Sequence, residues 1–386
     1  MKVAVVVRSL KIGGMERVAI SLTKAFQDQG HESHLIYFKH KKKDYPTDDI
    51  KNVHFWNFDK ILLKSGIGFL YEILIRLLNI PFRKSYAISK GFITSPIFKY
   101  KLKQLEKDSK PFDLVIIRGQ GTFEFLWKNQ DNRYVQVCEN LLYPNHIMTP
   151  FRKLHAHILY DNKNIACVSN GVLKSFKDLE KEANLKAKKA IKLTNPIDVK
   201  SIKEASKEYK PDIDTPYIVN VGRLAPVKQL PLLIDAYSYI KDKYNISHKL
   251  VLVGQGHDEE NIRQKIASLK LQKSVIMVGL QTNPYPWIAN AELFVLSSKH
   301  EGLGMVLLEA LACKTNLVVT RSPGGVIDIM QNELEEFLCE ATPKILGEKI
   351  YKELQNPSAI DFEKHLYPFL PATITNQYIK EFSPNV

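Results

Sequence analysis

Cysteine is scarce in this 386-residue chain, and the four present (Cys138, Cys167, Cys313 and Cys339) stand far apart in apolar stretches with no CxxC pair. That spacing excludes a disulfide framework and a thiolate metal centre, and reads as reduced core residues of a cytosolic protein. A long uninterrupted hydrophobic run is also missing. The most apolar stretch, ILLKSGIGFLYEILIRLLNIPF, is broken by Lys64, Glu72 and Arg76, which argues against a membrane-spanning helix. The opening MKVAVVVRSLKIGG has an apolar run too short for a signal peptide and reads as a first buried strand. No complete GxGxxG loop occurs. RSLKIGGME lacks the pattern and the next strand, HLIYFKH, ends without a ribose-binding acid, while VGQGHDEENIRQKI lacks the third glycine and crowds its helix start with Asp258, Glu259 and Glu260. Those carboxylates suit a helix dipole and repel a pyrophosphate, so a nicotinamide dehydrogenase is disfavoured. No Ser/His/Asp or metal-ligand spacing stands out, and no Arg-rich stacking surface or recognition motif points to nucleic acid.

What is there is a folded composition, 45% hydrophobic and 25% charged, on a chain long enough for two domains. The net charge of +14 is carried by one half: residues 1–200 hold 35 Lys+Arg against 19 Asp+Glu, and residues 201–386 hold 20 against 22. Within 60–103 there are nine basic residues (Lys60, Lys64, Arg76, Arg83, Lys84, Lys90, Lys99, Lys101, Lys103) and one acid, Glu72. Basic charge coincides there with aliphatic bulk. Two readings follow, an interfacial helix on an anionic membrane or a core helix ringed by solvated lysines.

Short apolar runs followed by glycine turns and helix-period segments recur in both halves. The first half reads VAVVV, HLIYF, DLVIIR, RYVQVC and NIACVS; the second reads YIVNVGR, KLVLVGQG, SVIMVG, LFVLSS and NLVVT. Between them KAIKLTNPIDVK carries Asn195-Pro196, a turn signal that marks a hinge. The pattern predicts an α/β protein of two facing, Rossmann-like, doubly wound domains with a cleft between them, over 1–195 and 196–365. Residues 366–386, with the helix-periodic ITNQYIKEF, are expected to form a terminal helix packed across both. Ligands in such sheets bind beyond the carboxyl ends of the strands.

Glu301 and Glu309 straddle the turn between the strand LFVLSS and an apolar helix. With Gly302 and Gly304 between them, Glu301 falls in the loop and Glu309 one turn into the helix, flanking backbone N–H groups that can hold an anion. Acids near a helix start are also simply good electrostatics. Upstream, Arg223 and Lys228 lie in the turn after YIVNVG, where two cations can neutralise a diphosphate, or form an ordinary solvated loop. Gly13 and Gly14 allow a ligand to approach backbone closely, or make a plain turn. For acid/base work His146, His155 and His157 are unspecific, and Glu139, directly after RYVQVC, is the better candidate.

Together these segments resemble the retaining family 4 glycosyltransferases of the two-domain GT-B fold. The resemblance runs through KIGGMERVAISLTKAF, CVSNGV with LTNPID, NVGRLAPVKQLPLLIDA, LVLVGQG, and LFVLSSKHEGLGMVLLEALAC followed by SPGGVIDIM. It implies an acceptor-binding N-terminal domain and a C-terminal domain that holds a nucleotide-sugar. Arg223 and Lys228 match the diphosphate-binding positions, Glu309 the ribose-binding one and Glu301 the one that contacts the transferred sugar. The backbone around Gly304, Met305 and Val306 would take up phosphate, with Gly302 and Leu303 also on the donor side, Val278, Gly279 and Leu280 would frame the base, and the Gly13-Gly14 loop would close on the donor. The family's proposed front-face attack, in which the leaving phosphate helps deprotonate the acceptor, needs no enzyme nucleophile and generally no metal or other cofactor. Two departures stand out: Glu139-Asn140 where many members have a histidine or aspartate, and Asp328 where a glutamate is common.

The expectation is therefore a retaining hexosyl- or N-acetylhexosaminyltransferase, with a UDP-sugar favoured as donor. Its acceptor would be a lipid-linked, lipopolysaccharide or capsule glycan at the inner face of a bacterial cytoplasmic membrane, held there peripherally by anionic lipid. The rivals are a catalytically silent sugar-nucleotide-binding or scaffold protein, which should have lost some of Arg223, Lys228, Glu301 and Glu309, and an inverting transferase of similar fold.

Overall fold

Runs such as Val3–Val7, with every side chain fully buried, can exist only where both faces of a sheet are covered. The computed structural model describes the chain apart from residues 12, 41–44, 81–84, 108, 144–146 and 384–386. It divides into two units, Met1–Pro196 with Pro371–Val386, and Ile197–Leu370.

The N-terminal unit holds β1 (Lys2–Ser9), β2 (Glu32–Lys39), β3 (Asn52–Phe55), β4 (Leu114–Arg118), β5 (Tyr134–Cys138), β6 (Asn164–Cys167) and β7 (Lys189–Lys192). They pair in the order β3-β2-β1-β4-β5-β6-β7, all parallel. The second unit repeats the plan with β8 (Tyr217–Val221), β9 (Lys249–Val253), β10 (Val275–Gly279), β11 (Leu293–Leu296), β12 (Leu317–Thr320) and β13 (Leu338–Cys339), in the order β10-β9-β8-β11-β12-β13. In each sheet the winding reverses between its first and fourth strands, so two loops diverge there and leave a crevice at the carboxyl edge. The doubly wound α/β expectation thus holds for both units.

The helix Leu230–Tyr244 shows how the second core is built. Leu230, Leu233, Ile234 and Tyr237 recur at helical spacing and bury themselves against Ile218, Leu250, Leu252 and Val295 of the sheet. Each buried aliphatic side chain contributes about 1.5–3 kcal/mol relative to exposure. Three strands escaped the sequence reading: β3, β7 and β13 are short, only partly buried edge strands without a continuous apolar run. β7 lies inside the segment read as a hinge, and the unit boundary falls just beyond it, after Pro196.

The terminal helix Pro371–Phe382 belongs to the N-terminal unit. There it buries Tyr378 beside Phe26, and Lys189 ion-pairs with Glu381 at 2.8 Å. Between β3 and β4 the chain inserts three helices, Phe58–Leu63, Gly66–Leu78 and Ser85–Glu106. The middle one buries Gly68, Glu72 and Ile75 and leaves most of its large apolar side chains in solvent. Its bulk is therefore not core, whereas the next helix, Ser85–Glu106, buries Ile88, Phe98 and Leu102 with Lys99 and Lys103 exposed, so the core reading of residues 60–103 holds for that helix and not for the middle one.

One buried cation is independent of any site. Lys163, just before β6, donates to the carbonyls of Trp127 (2.7 Å) and Ile158 (2.9 Å), and burial pushes its ammonium down to about 7 from the ordinary 10.5. Between those values the unfolded chain binds more protons than the folded one, so stability rises with pH; the cost is fully present below about 7 and fades towards 10.5. Urea unfolding across this window should show wild type gaining stability relative to Lys163→Met as pH rises. A pH-independent difference between the two would contradict this assignment.

Candidate active site

Four elements of the second unit meet at the carboxyl edge of its sheet. The loop after β8 carries Arg223 and a short 3-10 turn, Pro226–Lys228; the loop after β11 carries Glu301. These are the two loops that diverge at the winding reversal, and an ion pair joins them: Lys228 Nζ lies 2.5 Å from Glu301 Oε1. Both side chains are largely buried, so the pair is less screened than a surface bridge. Ser298 Oγ donates to the same carboxylate oxygen at 2.5 Å, and Ser297 Oγ donates to the Lys228 carbonyl at 2.9 Å. A backbone bond from Lys299 N to Val227 O (2.7 Å) ties the loops again. Arg223 is exposed at the same edge.

Gly304, at φ +91°, caps the helix Met305–Ala312, whose first turn presents the backbone of Met305 and Val306. Glu309 sits one turn in and is buried, an unusual place for a carboxylate on an otherwise apolar helix. The thiol of neighbouring Cys313 is raised to about 12 by its own burial first and by the Glu309 charge second. Gly279 ends β10 at φ +71° and the following Leu280 is exposed at the same edge of the sheet.

Two glycine turns hold this edge. Gly254 and Gly256, after β9, lie so close to the Arg223 loop that a Cβ on either would fall 1.9 Å from a carbonyl oxygen, of Gly222 and Leu224 respectively. The glycines of VGQGH therefore brace the cationic loop. After β12, Gly324 (φ +107°) forms a bridge with Glu301, and a Cβ there would lie 1.7 Å from the Glu301 carbonyl oxygen. Glu301 is thus fixed by backbone on one side and by Lys228 and Ser298 on the other. Sequence reasoning did not single out Ser297, Ser298 or Gly324 individually; the serine pair at the end of a buried strand was the available signal.

In the N-terminal unit a cavity of about 310 Å³ opens at the carboxyl ends of β1, β4 and β5, the corresponding reversal point. Arg8, Glu16, Gly119, Glu139, Asn140 and Tyr160 are among its lining. Gly13 and Gly14 begin the helix Gly14–Asp28 beside it, immediately before the lining residues Met15 and Glu16. Glu139 is not a free carboxylate. The fully buried Arg118 ion-pairs with it and also donates to Asn195 Oδ1 at 2.7 Å, while Asn195 Nδ2 donates to the other Glu139 oxygen at 3.0 Å. An arginine ending the apolar strand DLVIIR was the overlooked signal for this partner. His155 is buried with Nδ1 2.8 Å from Tyr143 Oη, and His157 Nε2 lies 2.9 Å from the Ala183 carbonyl, so both are engaged in structural contacts. His146 lies outside the described residues.

Two Rossmann-like units, each with a winding reversal at the carboxyl edge of a parallel sheet, are the plan of the GT-B fold. Residues 201–366, within the second unit, match the family of glycosyl transferases group 1, and the chain is a glycosyltransferase. It is 27% identical over 342 residues to the Campylobacter jejuni N-acetylgalactosamine-N,N'-diacetylbacillosaminyl-diphospho-undecaprenol 4-alpha-N-acetylgalactosaminyltransferase, covering 88% of this chain and 86% of that protein. A shorter stretch of 111 residues is 34% identical to the Rhizobium meliloti lipopolysaccharide core glycosyltransferase LpsE, covering 29% and 31% of the two chains. In fold it is similar to the Anabaena HepE structure with UDP and glucose, at a TM-score of 0.71, 18% identity and full coverage of both chains.

The Gly324 contact generates a direct test. Gly324→Ala should cost at least about 1–3 kcal/mol through its left-handed backbone, before the clash is counted. It should also weaken binding of the UDP-sugar donor proposed below, by displacing Glu301 from the transferred sugar. Thermal melting and titration calorimetry check this, with Gly66→Ala, where a Cβ meets nothing within 4 Å, expected to leave both unchanged.

Proposed function

We propose that this chain is a retaining transferase. It moves a hexose or N-acetylhexosamine from a nucleotide-sugar, with UDP favoured, to a lipid-linked or lipopolysaccharide or capsule glycan acceptor at a membrane. The observation that carries the reading is the Lys228–Glu301 pair across the reversal point, with Glu309 buried one turn into the adjoining helix. A diphosphate oxygen can replace the Glu301 carboxylate as partner of Lys228, which frees Glu301 to accept hydrogen bonds from hydroxyls of the transferred sugar. Arg223 supplies the second cation, the backbone of Gly302, Leu303, Gly304, Met305 and Val306 faces phosphate, Glu309 anchors the ribose, and Gly279 and Leu280 flank the base. The UDP and glucose bound by Anabaena HepE and the diphospho-undecaprenol acceptor named for the Campylobacter relative support the donor and acceptor classes.

In this reading the bond between the anomeric carbon and the diphosphate breaks while Arg223 and Lys228 stabilise the charge growing on the leaving oxygen. The acceptor hydroxyl attacks from the same face and its proton passes to that leaving oxygen, so configuration is retained and the protein supplies no nucleophile. The two cations do the neutralisation a metal would otherwise provide. Glu139, clamped by Arg118 and Asn195, contributes a fixed negative wall to the cavity on the acceptor-binding unit.

The test is nucleotide release from a panel of UDP-, GDP- and ADP-sugars with membrane extract, followed by NMR of the anomeric product. Lys228→Ala should lower turnover on the order of 10²–10³-fold, the loss seen when one charge-stabilising group is removed, and Glu309→Ala should lower nucleotide release at sub-saturating donor by raising KM through loss of its ribose contact. Release undiminished in both variants, or an inverted product, would defeat the proposal.

A further inference from the structure

The helix Gly66–Leu78 carries its hydrophobic side outward. Ile67, Phe69, Leu70, Ile73, Leu74, Leu77 and Leu78 are all exposed, Ile67 at 84% and Leu70 at 67%. At about 100° per residue these positions sweep roughly half the helix circumference. A water-facing helix puts that arc inward. Leu63 before it and Ile80 after it extend the apolar surface, which is larger than scattered exposed side chains need explain.

The one acid of the region is withdrawn from this face. Glu72 is buried on the inner side, where Arg76 (2.9 Å), Lys90 (3.2 Å) and the Tyr86 hydroxyl (2.5 Å) hold its carboxylate. Lys90 also reaches Asp59, and Arg133 reaches Glu106, so that all three acids of the insert's helices lie next to cations. The exposed charge of the described insert is mostly basic: Lys60, Lys64, Arg76, Lys99 and Lys103 are exposed, against one exposed acid, Asp59, which pairs with Lys90. A second copy of the chain would bring these like charges together, whereas an anionic lipid surface complements them.

We infer that the helix Gly66–Leu78 lies in the headgroup region of an anionic bilayer, its outer arc among the acyl chains and the lysines of the insert against lipid phosphates. Its thirteen residues span about 20 Å, short of the roughly 30 Å hydrocarbon core, and among the described residues no helix is long and apolar enough to cross a membrane. The helix therefore lies along the surface, where affinity comes from buried apolar area plus attraction to anionic lipid. This deepens the reading of a membrane-borne acceptor, on which its purpose rests, and names the surface that meets the lipid.

The experiment is sedimentation with vesicles of phosphatidylcholine alone or with 30% phosphatidylglycerol added. Wild type should bind the anionic vesicles at least tenfold more tightly than the neutral ones. The combined variant Ile67→Ser, Leu70→Ser, Leu74→Ser should lose at least tenfold of that binding, as should a second variant, Lys60→Gln with Lys64→Gln. All five positions are exposed, and melting curves should superimpose on wild type. Equal vesicle binding by wild type and the serine variant, or a wild-type dimer that the serine variant turns into a monomer, would overturn the inference. Donor hydrolysis in lipid-free buffer separates the two readings. It should be unchanged in these variants, and its absence in wild type would count against the transferase while leaving vesicle binding to stand or fall by itself.

Discussion

The ion pair between Lys228 and Glu301 is where the second unit becomes a site. The two residues are 73 positions apart, and they meet because the sheet reverses its winding between β8 and β11. Loops that follow neighbouring strands would otherwise be covered by the same layer of helices; at the reversal they part and leave a crevice. Lys228 is held there by a carboxylate, an anionic partner whose place the donor phosphate takes in the proposed reaction. The backbone bridge from Gly324 and the serines ending β11 keep Glu301 from following a ligand away from its place. A preset cation and a preset acid cost little reorganisation when charge develops during reaction.

The N-terminal unit uses charge differently at its own reversal point. Arg118 is wholly buried, its Nη2 pairs with Glu139 and Asn195 while Nε and Nη1 are without a hydrogen-bond partner among the described residues, and this clamp stops Glu139 from acting as an unencumbered base. The same unit withdraws Glu72 beneath the insert and leaves its apolar helix facing out. One domain thus combines a polar cavity with a greasy, basic exterior, and the other presents a compact cluster of phosphate-complementary groups.

Much of this was legible beforehand. Buried parallel strands announce themselves as apolar runs, so β1, β2, β4, β5, β6 and β8 to β12 were readable, and the Rossmann-like plan with them. Edge strands β3, β7 and β13 were not, because half-buried residues carry no continuous pattern. Arg223, Lys228, Glu301 and Glu309 were readable as chemistry out of place in loops or on an apolar helix. Ser298, Arg118 and the bracing role of Gly254 and Gly256 were not, since each depends on which distant backbone or carboxylate it touches.

The amino-acid sequence by itself determined the class of fold and the placing of two cations and two acids at the loops and helix that follow buried strands, because periodicity and side-chain chemistry are local properties. Only the tertiary structure decided that Lys228 pairs with Glu301, that Glu139 is clamped, and that the apolar side of Gly66–Leu78 faces solvent instead of the core. Those three depend on strand order and on which helix face finds a partner. A hydrophobic stripe has the same period whether it is buried or exposed, and only the packing of the rest of the chain says which.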